Sequence, residues 1–535
     1  MDIKGVVKKM NIDMIGLEKQ KSNDCLIAAK TFPYFIFGSF IKGDRGNVYR
    51  NEVYELIQYF LDYQCGADFK PEGTKGDYIP SNYKFKKIKT LIDKEARFMF
   101  SQQPEIKVKA RLTDDKSLHD VEYLQTVVNE VLKNSGFSNL LLQSAKDCFI
   151  AKRIAALVDY SEEDGIAIHF YNSLQFYYEY QYGTNKLIKF VSFECVEQDI
   201  TVGGSLYLVN EYNVRNGIVY MSSAIYKGSG VLSEQLIEEH KTDLKQIPVA
   251  IIINDGTLMN KRGMSEVRQL AEGEATYSKL ANADVDCVRK GMNPIRYTVD
   301  MSRETTKNLS SSAGSYWDLE HNMNLDEPTP MIGTLSPDMG HTEALKNTLD
   351  RINSEMYNEL DIPNISEETL VGTITSGKSI KALYYSLMVR CDEKFKTWKP
   401  AIENIIKFVL EIVLLNKDIT KAIYEVPQLN DVEYDIVINE KYALLDDELE
   451  EKSSDMEEVQ NNLRSVKSYL KKHRHEDLIT DQQIDEEILQ IVYEKSMFDG
   501  AIVNPTLEDK TQEEEADIEV NKQVEEEEIN QKLEE

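Results

Sequence analysis

The chain has 535 residues, of which 41% are hydrophobic and 29% are charged, and its formal net charge is −30 at pH 7. A chain of this length exceeds one ordinary hydrophobic core, so we expect several structural units. The acidic balance argues against a protein that grips duplex DNA tightly, such as a repressor or a nuclease clamp, because tight binding needs clustered positive charge.

Cysteine and hydropathy patterns exclude several further classes. No run of 18 apolar residues occurs, and the first residues lack the basic-then-apolar pattern of a signal peptide, so we expect no membrane span. The six cysteines lie far apart without a CxxC pair, which predicts isolated thiols in a reducing compartment. His473 and His475 lie among basic residues, which favours a solvated basic helix end over a metal site.

The first half of the chain divides into helices and then strands. Residues 1–45 predict a loosely tied arm. Helical spacing of apolar residues predicts four helices, over 51–63, 85–99, 121–132 and 139–152, with an extended segment over 106–112. From 154 to 253, short β-branched and aromatic runs predict an antiparallel sheet packed on these helices. Its many tyrosines are expected to pack within the sheet, because basic residues are not interleaved for base stacking.

Helical spacing returns in the second half. One helix is predicted from Met264 to Gly291, and a second, with apolar residues from Leu345 to Leu360, ends before Pro363. Between them lies a small β-and-loop insertion with strands at PIRYTV and GSYWDL.

The polar stretch 364–377 leads into the longest predicted helix. Pro400 predicts a kink there near Lys396–Trp398 rather than two separate helices. A strand over 434–439 and charged helices to about Lys495 follow. The residues from Thr506 onward hold thirteen Asp or Glu and three Lys, which predicts a disordered or loosely helical tail.

Residues 372–379, GTITSGKS, satisfy the phosphate-binding pattern G-x-x-x-x-G-K-[ST], in which Lys378 would reach the terminal phosphates. A P-loop ATPase is therefore the alternative function. Three features count against it: no buried strand precedes the loop, no apolar run ending in an acidic magnesium partner follows it, and repeated βαβ units are absent. No GxSxG or HExxH pattern occurs either, so we predict neither an enzyme nor a cofactor.

Three segments carry a resemblance to a known family. They are SNYKFKKIKTLIDKEARFMFSQQPEI, IAALVDYSEEDGIAIHFYNSLQFYYEY and SGKSIKALYYSLMVRCDEKFKTW. In this order they resemble the early helix, the following strand pair and the start of the long helix of portal proteins of tailed bacteriophages, especially phages of Gram-positive hosts. The resemblance runs from about residue 45 to 500. Lys378 and Ser379 replace small residues usual in the family, and the insertion is poorly matched.

The resemblance implies an α+β, mainly helical subunit that assembles as a ring of about twelve copies. It divides the chain into regions: an N-terminal arm (1–45), a wing (46–262), a first stem helix (263–291), a clip (292–337), a second stem helix (338–362), a tunnel loop (363–377), a long kinked wing helix (378–430), a crown (431–505) and an acidic tail (506–535).

The function implied by the resemblance is a DNA channel at one capsid vertex of the virion, assembled in the host bacterial cytoplasm. The large terminase would dock on it for genome packaging, the head–tail adaptor would dock afterwards, and DNA would pass again at ejection. Major capsid and scaffolding proteins are the other implied partners. Double-stranded DNA would be contacted without sequence specificity, and no membrane, cofactor or metal is implied.

The resemblance also assigns candidate contacts. Those to DNA in the tunnel loop are Thr369, Thr373, Thr375, Ser376 and Lys378. Hydroxyl groups can touch phosphates without holding them, although a plain connector with Ser376 or Ser379 as a helix cap explains the loop equally well. Those to DNA, terminase or adaptor in the clip are Arg296, Arg303 and Lys307, for which ordinary surface charge is an equal explanation.

Physical reasoning supports a ring independently in one respect. Two amphipathic helices joined by a compact β module can bury their apolar stripes against neighbouring copies, and a heterologous contact repeated by rotation closes a ring. An acidic wall suits sliding DNA, because it offers no register in which phosphates are trapped. The acidic tail would repel DNA, bind a basic scaffold partner or only solubilise the chain. A phage structural or scaffold-like protein without a DNA channel is the remaining alternative.

Overall fold

A computed structural model gives the structure of the chain. It describes residues 45–71, 79–111, 115–161, 165–184, 186–197, 205–292, 295–299, 331–335, 340–365, 377–430, 432–442, 448–461, 463–473 and 481–498. Within these residues the fold mixes helices with antiparallel sheets, so the α+β prediction is confirmed.

The four predicted N-terminal helices are present. They are α1 (Arg45–Cys65), α2 (Lys87–Phe100), α3 (Asp115–Asn134) and α4 (Phe137–Ala151). In α2 the predicted apolar face, from Ile88 to Met99, is buried, and the helix ends before Pro104. Burial of such a face, rather than intrinsic propensity, supplies most of a helix's stability in a folded protein.

Strand β2 (Arg153–Ser161) is the middle strand of a three-stranded sheet. It pairs antiparallel with β3 (Gly165–Asn172) and β9 (Val249–Ile253) in the order β3-β2-β9. Successive side chains of a strand point to opposite faces. Ile154 therefore joins the core formed with the helices, whereas Leu157 joins a second core formed with the next sheet. Burial on both faces explains the uninterrupted apolar run in this segment.

A second antiparallel sheet has five strands in sequential order. They are β4 (Phe176–Tyr180), β5 (Leu187–Glu197), β6 (Leu206–Arg215), β7 (Ile218–Lys227) and β8 (Leu232–Lys241). The single predicted sheet is thus two sheets, with a core between them. Tyr171, Tyr177 and Tyr212 are buried, so tyrosine packing within this region is confirmed. Strand β8 was not predicted: all ten of its residues are exposed, so its side chains carry no burial pattern.

Two helices and a strand pair follow. Helix α5 (Glu266–Met292) leads to β10 (Ile295–Val299), which pairs antiparallel with β11 (Met331–Leu335), and helix α6 (Thr342–Glu359) returns. The helices and the strand at PIRYTV are confirmed. The expected strand at GSYWDL lies outside the described residues.

The longest predicted helix is divided into three. These are α7 (Gly377–Leu383), α8 (Tyr385–Leu415) and α9 (Lys417–Tyr424). Helix α8 continues through Pro400, as expected, but the prediction of one helix is wrong at Tyr384 and Asn416. Neither interruption follows from a local Gly or Pro, and the buried stripe runs on from Leu387 to Val413.

The described residues fall into two compact units: the second holds Gly377, Lys378 and the residues from 448 onward, and the first holds the others. Strand β12 (Tyr434–Asn439) belongs to the first unit because it pairs antiparallel with β1 (Glu105–Ala110) along its whole length. The resemblance had placed residues from 431 in the crown, so the compact boundary lies later than that division.

The second unit contains the charged helices α10 (Glu448–Gln460), α11 (Val466–Lys472) and α12 (Asp481–Phe498). The prediction that His473 is solvated is wrong. Its ring nitrogen Nε2 lies 2.5 Å from Asp455, and only 9% of its side chain is exposed. His475 lies outside the described residues. Among the described helices, none combines the length and hydrophobicity that a bilayer crossing needs.

Candidate functional site

The helix pair α5–α6 with its β10–β11 connection is the part of the fold that the sequence singles out, and its packing is built from both polar and apolar stripes. Gly273 of α5 faces Met356 of α6: a Cβ atom there would lie 3.1 Å from the Met356 Cγ. Nearer the other end of the pair, His341 Nε2 lies 3.7 Å from Asp284 Oδ1. These two contacts show that the helices run antiparallel, so both adjoin the same strand pair.

A polar stripe on α5, buried except at its last member, holds the segment that precedes α2. Its members recur every four residues, one helical turn apart: Glu274, Ser278, Asn282 and Asp286. Asp286 Oδ1 accepts from the Ser81 amide at 2.9 Å, and Ser278 Oγ accepts from the Phe85 amide at 3.4 Å. An extended segment that pairs with no described strand therefore has its backbone amides satisfied by one helix face.

Glu274 serves as a cap supplied from a different helix. Its Oε1 accepts from the Ile88 amide at 3.0 Å, in the first turn of α2, and its Oε2 accepts from the Ala67 amide at 2.7 Å. The first amides of a helix lack intrahelical acceptors, and a carboxylate at this position also faces the positive end of the helix dipole. Burial raises the Glu274 pKa, and the backbone amides counteract that rise.

The apolar stripe predicted on α5 is buried at one end of the helix and exposed at the other. Val267 and Leu270 are fully buried. Towards the strand pair, 48% of Val285, 44% of Val288 and 77% of Met292 remain exposed. These three positions follow steps of three and four residues, so they share one side of the helix. Among the described residues of one chain, nothing covers this apolar stripe.

The strand pair brings the main chains of β10 and β11 together over five residue pairs. Gly333 opposes Tyr297, and a Cβ atom on Gly333 would lie 2.3 Å from that ring, so glycine leaves the space that the Tyr297 ring occupies across the strand pair. Arg296 lies in β10, opposite Thr334. The other two clip candidates, Arg303 and Lys307, lie outside the described residues.

Most of the predicted tunnel loop also lies outside the described residues, including Thr369, Thr373, Thr375 and Ser376. Lys378 lies in the first turn of α7, which begins at Gly377. Every strand pairing among the described residues is antiparallel, whereas a P-loop follows a strand of a parallel βαβ unit. The described strands therefore do not supply the parallel framework that a P-loop needs.

Reasoning from the sequence missed the polar stripe of α5, although its signal was present. Polar residues at four-residue spacing on a helix that also carries an apolar stripe indicate a second packed face. Apolar spacing alone was used to predict this helix, and Glu274, Ser278, Asn282 and Asp286 were not considered as a second face. All but Asp286 are fully buried.

Comparison with models of known protein families identifies the family of this chain. The family model described as "Phage portal protein, SPP1 Gp6-like" matches residues 55–499, which span both compact units. The chain belongs to this family. It is a bacteriophage portal protein of the type found in phages of Gram-positive hosts, as the sequence resemblance implied.

Family membership makes this portal protein a virion component of the capsid, concerned with DNA packaging and with the connection of head to tail. A search of curated proteins finds no match to the chain. The family match covers α5, the strand pair and α6, so the helix pair with the exposed apolar stripe is part of the shared region.

Proposed function

We propose that this portal protein forms a closed ring around a DNA channel at one capsid vertex. The large terminase would dock on the ring to package the genome, the head–tail adaptor would dock after packaging, and DNA would leave through the same channel at ejection. The observation that carries this proposal is the exposed apolar stripe of Val285, Val288 and Met292 on α5.

The packing of α5 supports a contact between copies of the chain. One face of the helix holds the segment 81–88, and another packs on α6. The exposed stripe lies between them and has no cover within the described part of the chain. Full burial of a valine or methionine side chain stabilises a structure by about 1.5–3 kcal/mol. Covering this stripe on every subunit would therefore stabilise the assembly. A contact of this heterologous kind, repeated by rotation, closes a ring.

We assign the regions of the ring as follows. Residues 263–291 and 338–362 form the stem, 292–337 the clip, and 46–262 with 378–430 the wing, while the tunnel loop spans 363–377 and the crown spans 431–505. The arm (1–45) and the acidic tail (506–535) complete the chain. The antiparallel pairing of α5 with α6 supports the stem assignment, because both helices then adjoin the clip.

DNA contacts in this ring would be weak and independent of sequence. The proposed tunnel-loop contacts are Thr369, Thr373, Thr375, Ser376 and Lys378. Four of the five are neutral hydroxyl groups, and the chain as a whole carries −30 charges, so phosphates would be touched without being held. The proposed clip contacts to terminase, adaptor or DNA are Arg296, Arg303 and Lys307.

The mass of the purified protein tests this proposal. A subunit has a mass of 61.4 kDa. Mass photometry over a range of salt concentrations is expected to show one dominant closed species of about twelve subunits. A chain that stays monomeric at every salt concentration would overturn the ring, and with it the channel.

A further inference from the structure

Four ionisable side chains from three helices meet in the core of the first unit. Glu95 comes from α2, Glu266 is the first residue of α5, and Arg390 and Lys394 lie one turn apart on α8. Glu95 Oε1 lies 2.8 Å from Arg390 Nε and 2.6 Å from Lys394 Nζ. Glu266 Oε1 lies 3.3 Å from an Arg390 terminal nitrogen and also pairs with Lys394.

The surroundings of this cluster are mostly apolar. The carboxyl groups are fully buried, with 0% of the Glu95 and 1% of the Glu266 side chain exposed. Lys394 Nζ lies 3.7 Å from the centre of the Phe149 ring. Three other titratable groups face the cluster: Cys148 from α4, Cys391 from α8, and Asp361, which lies 4.0 Å from Arg390. Burial raises the pKa of both thiols, so they stay neutral near pH 7.

The two carboxyl groups have one oxygen each that the cations do not reach. Arg390 and Lys394 both bind the Oε1 atoms, whereas Glu95 Oε2 and Glu266 Oε2 are buried without a hydrogen-bond partner among the described residues. The two carboxyl groups also converge on one nitrogen, because the Oε1 atoms of both pair with Lys394 Nζ. A buried acceptor without a donor costs about 1–3 kcal/mol, and two carboxylates in contact strongly disfavour double ionisation.

We propose that Glu95 and Glu266 share one proton, and that this proton latches the start of α5 to α2 and α8. The protonated carboxyl donates to its neighbour, which removes the repulsion and gives a partner to an oxygen that otherwise has none. Loss of the proton leaves two buried carboxylates side by side at Lys394 and loosens the first turns of α5. The latch lies within one chain, so it does not depend on the proposed ring.

Electrostatics identify Glu266 as the group that carries the proton. Burial, together with the charge of Glu95, raises the Glu266 pKa to about 7. The Glu95 pKa is lowered, because Lys394 and Arg390 outweigh the effect of burial. A folded-state pKa above the unfolded value of 4.5 means that the Glu266 contribution to stability is complete below pH 4.5 and is lost as the pH rises through about 7.

The test compares the wild-type chain with Glu266→Gln, whose amide also donates to Glu95 but cannot titrate. In infrared spectra of the full-length protein, a protonated-carboxyl band present at pH 6 and lost by pH 8 is expected in the wild type and absent from the variant. Asp62 and Asp147, whose pKa values burial raises to about 6, also lose protonated-carboxyl absorption between these pH values, but equally in both proteins, so the Glu266 band is read from the difference between the wild-type and variant spectra. The exposed Glu272→Gln on the same helix is the matched control and should behave as wild type.

Hydrogen exchange supplies a second readout. After correction for intrinsic rates, protection of the first turns of α5 should fall by about tenfold from pH 6 to pH 8 in the wild type and stay constant in Glu266→Gln. If that variant fails to fold, Glu95→Gln replaces it, since removal of either carboxyl abolishes the shared proton. An unchanged carboxyl band in both variants, or an equal pH response of exchange in wild type and Glu266→Gln, would overturn the latch.

Discussion

The Asn282 side chain forms hydrogen bonds with both the amide and the carbonyl of Tyr83. The Tyr83 amide donates to Asn282 Oδ1 at 2.8 Å, and Asn282 Nδ2 donates to the Tyr83 carbonyl at 2.7 Å. One side chain thus replaces the two hydrogen bonds that a neighbouring strand would supply. It fixes helix α5 to a segment almost 200 residues earlier in the chain.

Replacing Asn282 with Asp should release this segment. A carboxylate keeps the acceptor for the Tyr83 amide but sets a second oxygen against the Tyr83 carbonyl. A buried polar group left without its partner costs about 1–3 kcal/mol, so amide exchange over residues 81–85 should rise by roughly five- to hundredfold. Hydrogen-exchange mass spectrometry measures this, with Glu272→Gln as the exposed control on the same helix. Unchanged protection would show that Asn282 does not hold the segment.

Charge on the exposed stripe of α5 should block assembly. The double variant Val285→Glu and Val288→Glu places two carboxylates where we propose that another copy packs, and the cost of burying unpaired charge exceeds the gain from the remaining apolar contact. Mass photometry should show a shift from the closed species to monomers. The matched control is Leu258→Glu with Met259→Glu, because these side chains are 97% and 99% exposed. Equal assembly of both double variants would show that the stripe does not lie in the interface between subunits.

Ion pairs of Asp455 should stabilise the packing of the helices in the second unit. Its carboxylate lies 2.7 Å from Arg464, 2.8 Å from Lys472 and 2.5 Å from His473, and these partners lower its pKa to about 2. The stabilising effect is therefore present above pH 4 and is lost only as the pH falls towards 2. Asp455→Asn should increase exchange in α10 and α11 at neutral pH.

The control for Asp455 is Asp485→Asn, which removes a single ion pair to Lys467 from a carboxylate that is half exposed. Exposed pairs of this kind contribute little to stability. A larger effect of Asp485→Asn than of Asp455→Asn would contradict the role of Asp455.

Lys378→Ala separates the portal function from the P-loop alternative. We expect no ATP turnover by the wild-type protein above the level of this variant, and unchanged ring assembly, because the antiparallel surroundings give the loop no P-loop framework. A steady-state ATPase assay on both proteins measures this. ATP turnover that disappears in Lys378→Ala would instead support the enzyme.

The periodicity of apolar residues correctly predicted those helices and strands that bury one regular face. Strand β12 was predicted over the residues that form it, and α2 buries its predicted face. Strand β8 was not predicted, because it forms by pairing with β7 and has no buried face that an apolar pattern could indicate. The helix interruption at Tyr384 was not predicted either, because no glycine or proline marks it and the apolar stripe continues past it.

Of the candidate site, the sequence predicted the helices and their apolar stripe but not what each face contacts. Val285 and Val288 looked equivalent to Val267, yet only Val267 is buried within the chain. That difference depends on which segments fold against α5. The capping role of Glu274 depends on the same long-range contact, 186 residues away from Ile88. Neither can be read from local spacing.

The most direct measurement is negative-stain imaging of the purified wild-type protein, with class averages viewed down the symmetry axis. We expect closed rings with an axial hole wide enough for a DNA duplex. Rings without a hole would contradict the DNA channel and favour a structural or scaffold-like role, and images of isolated subunits alone would contradict the ring itself.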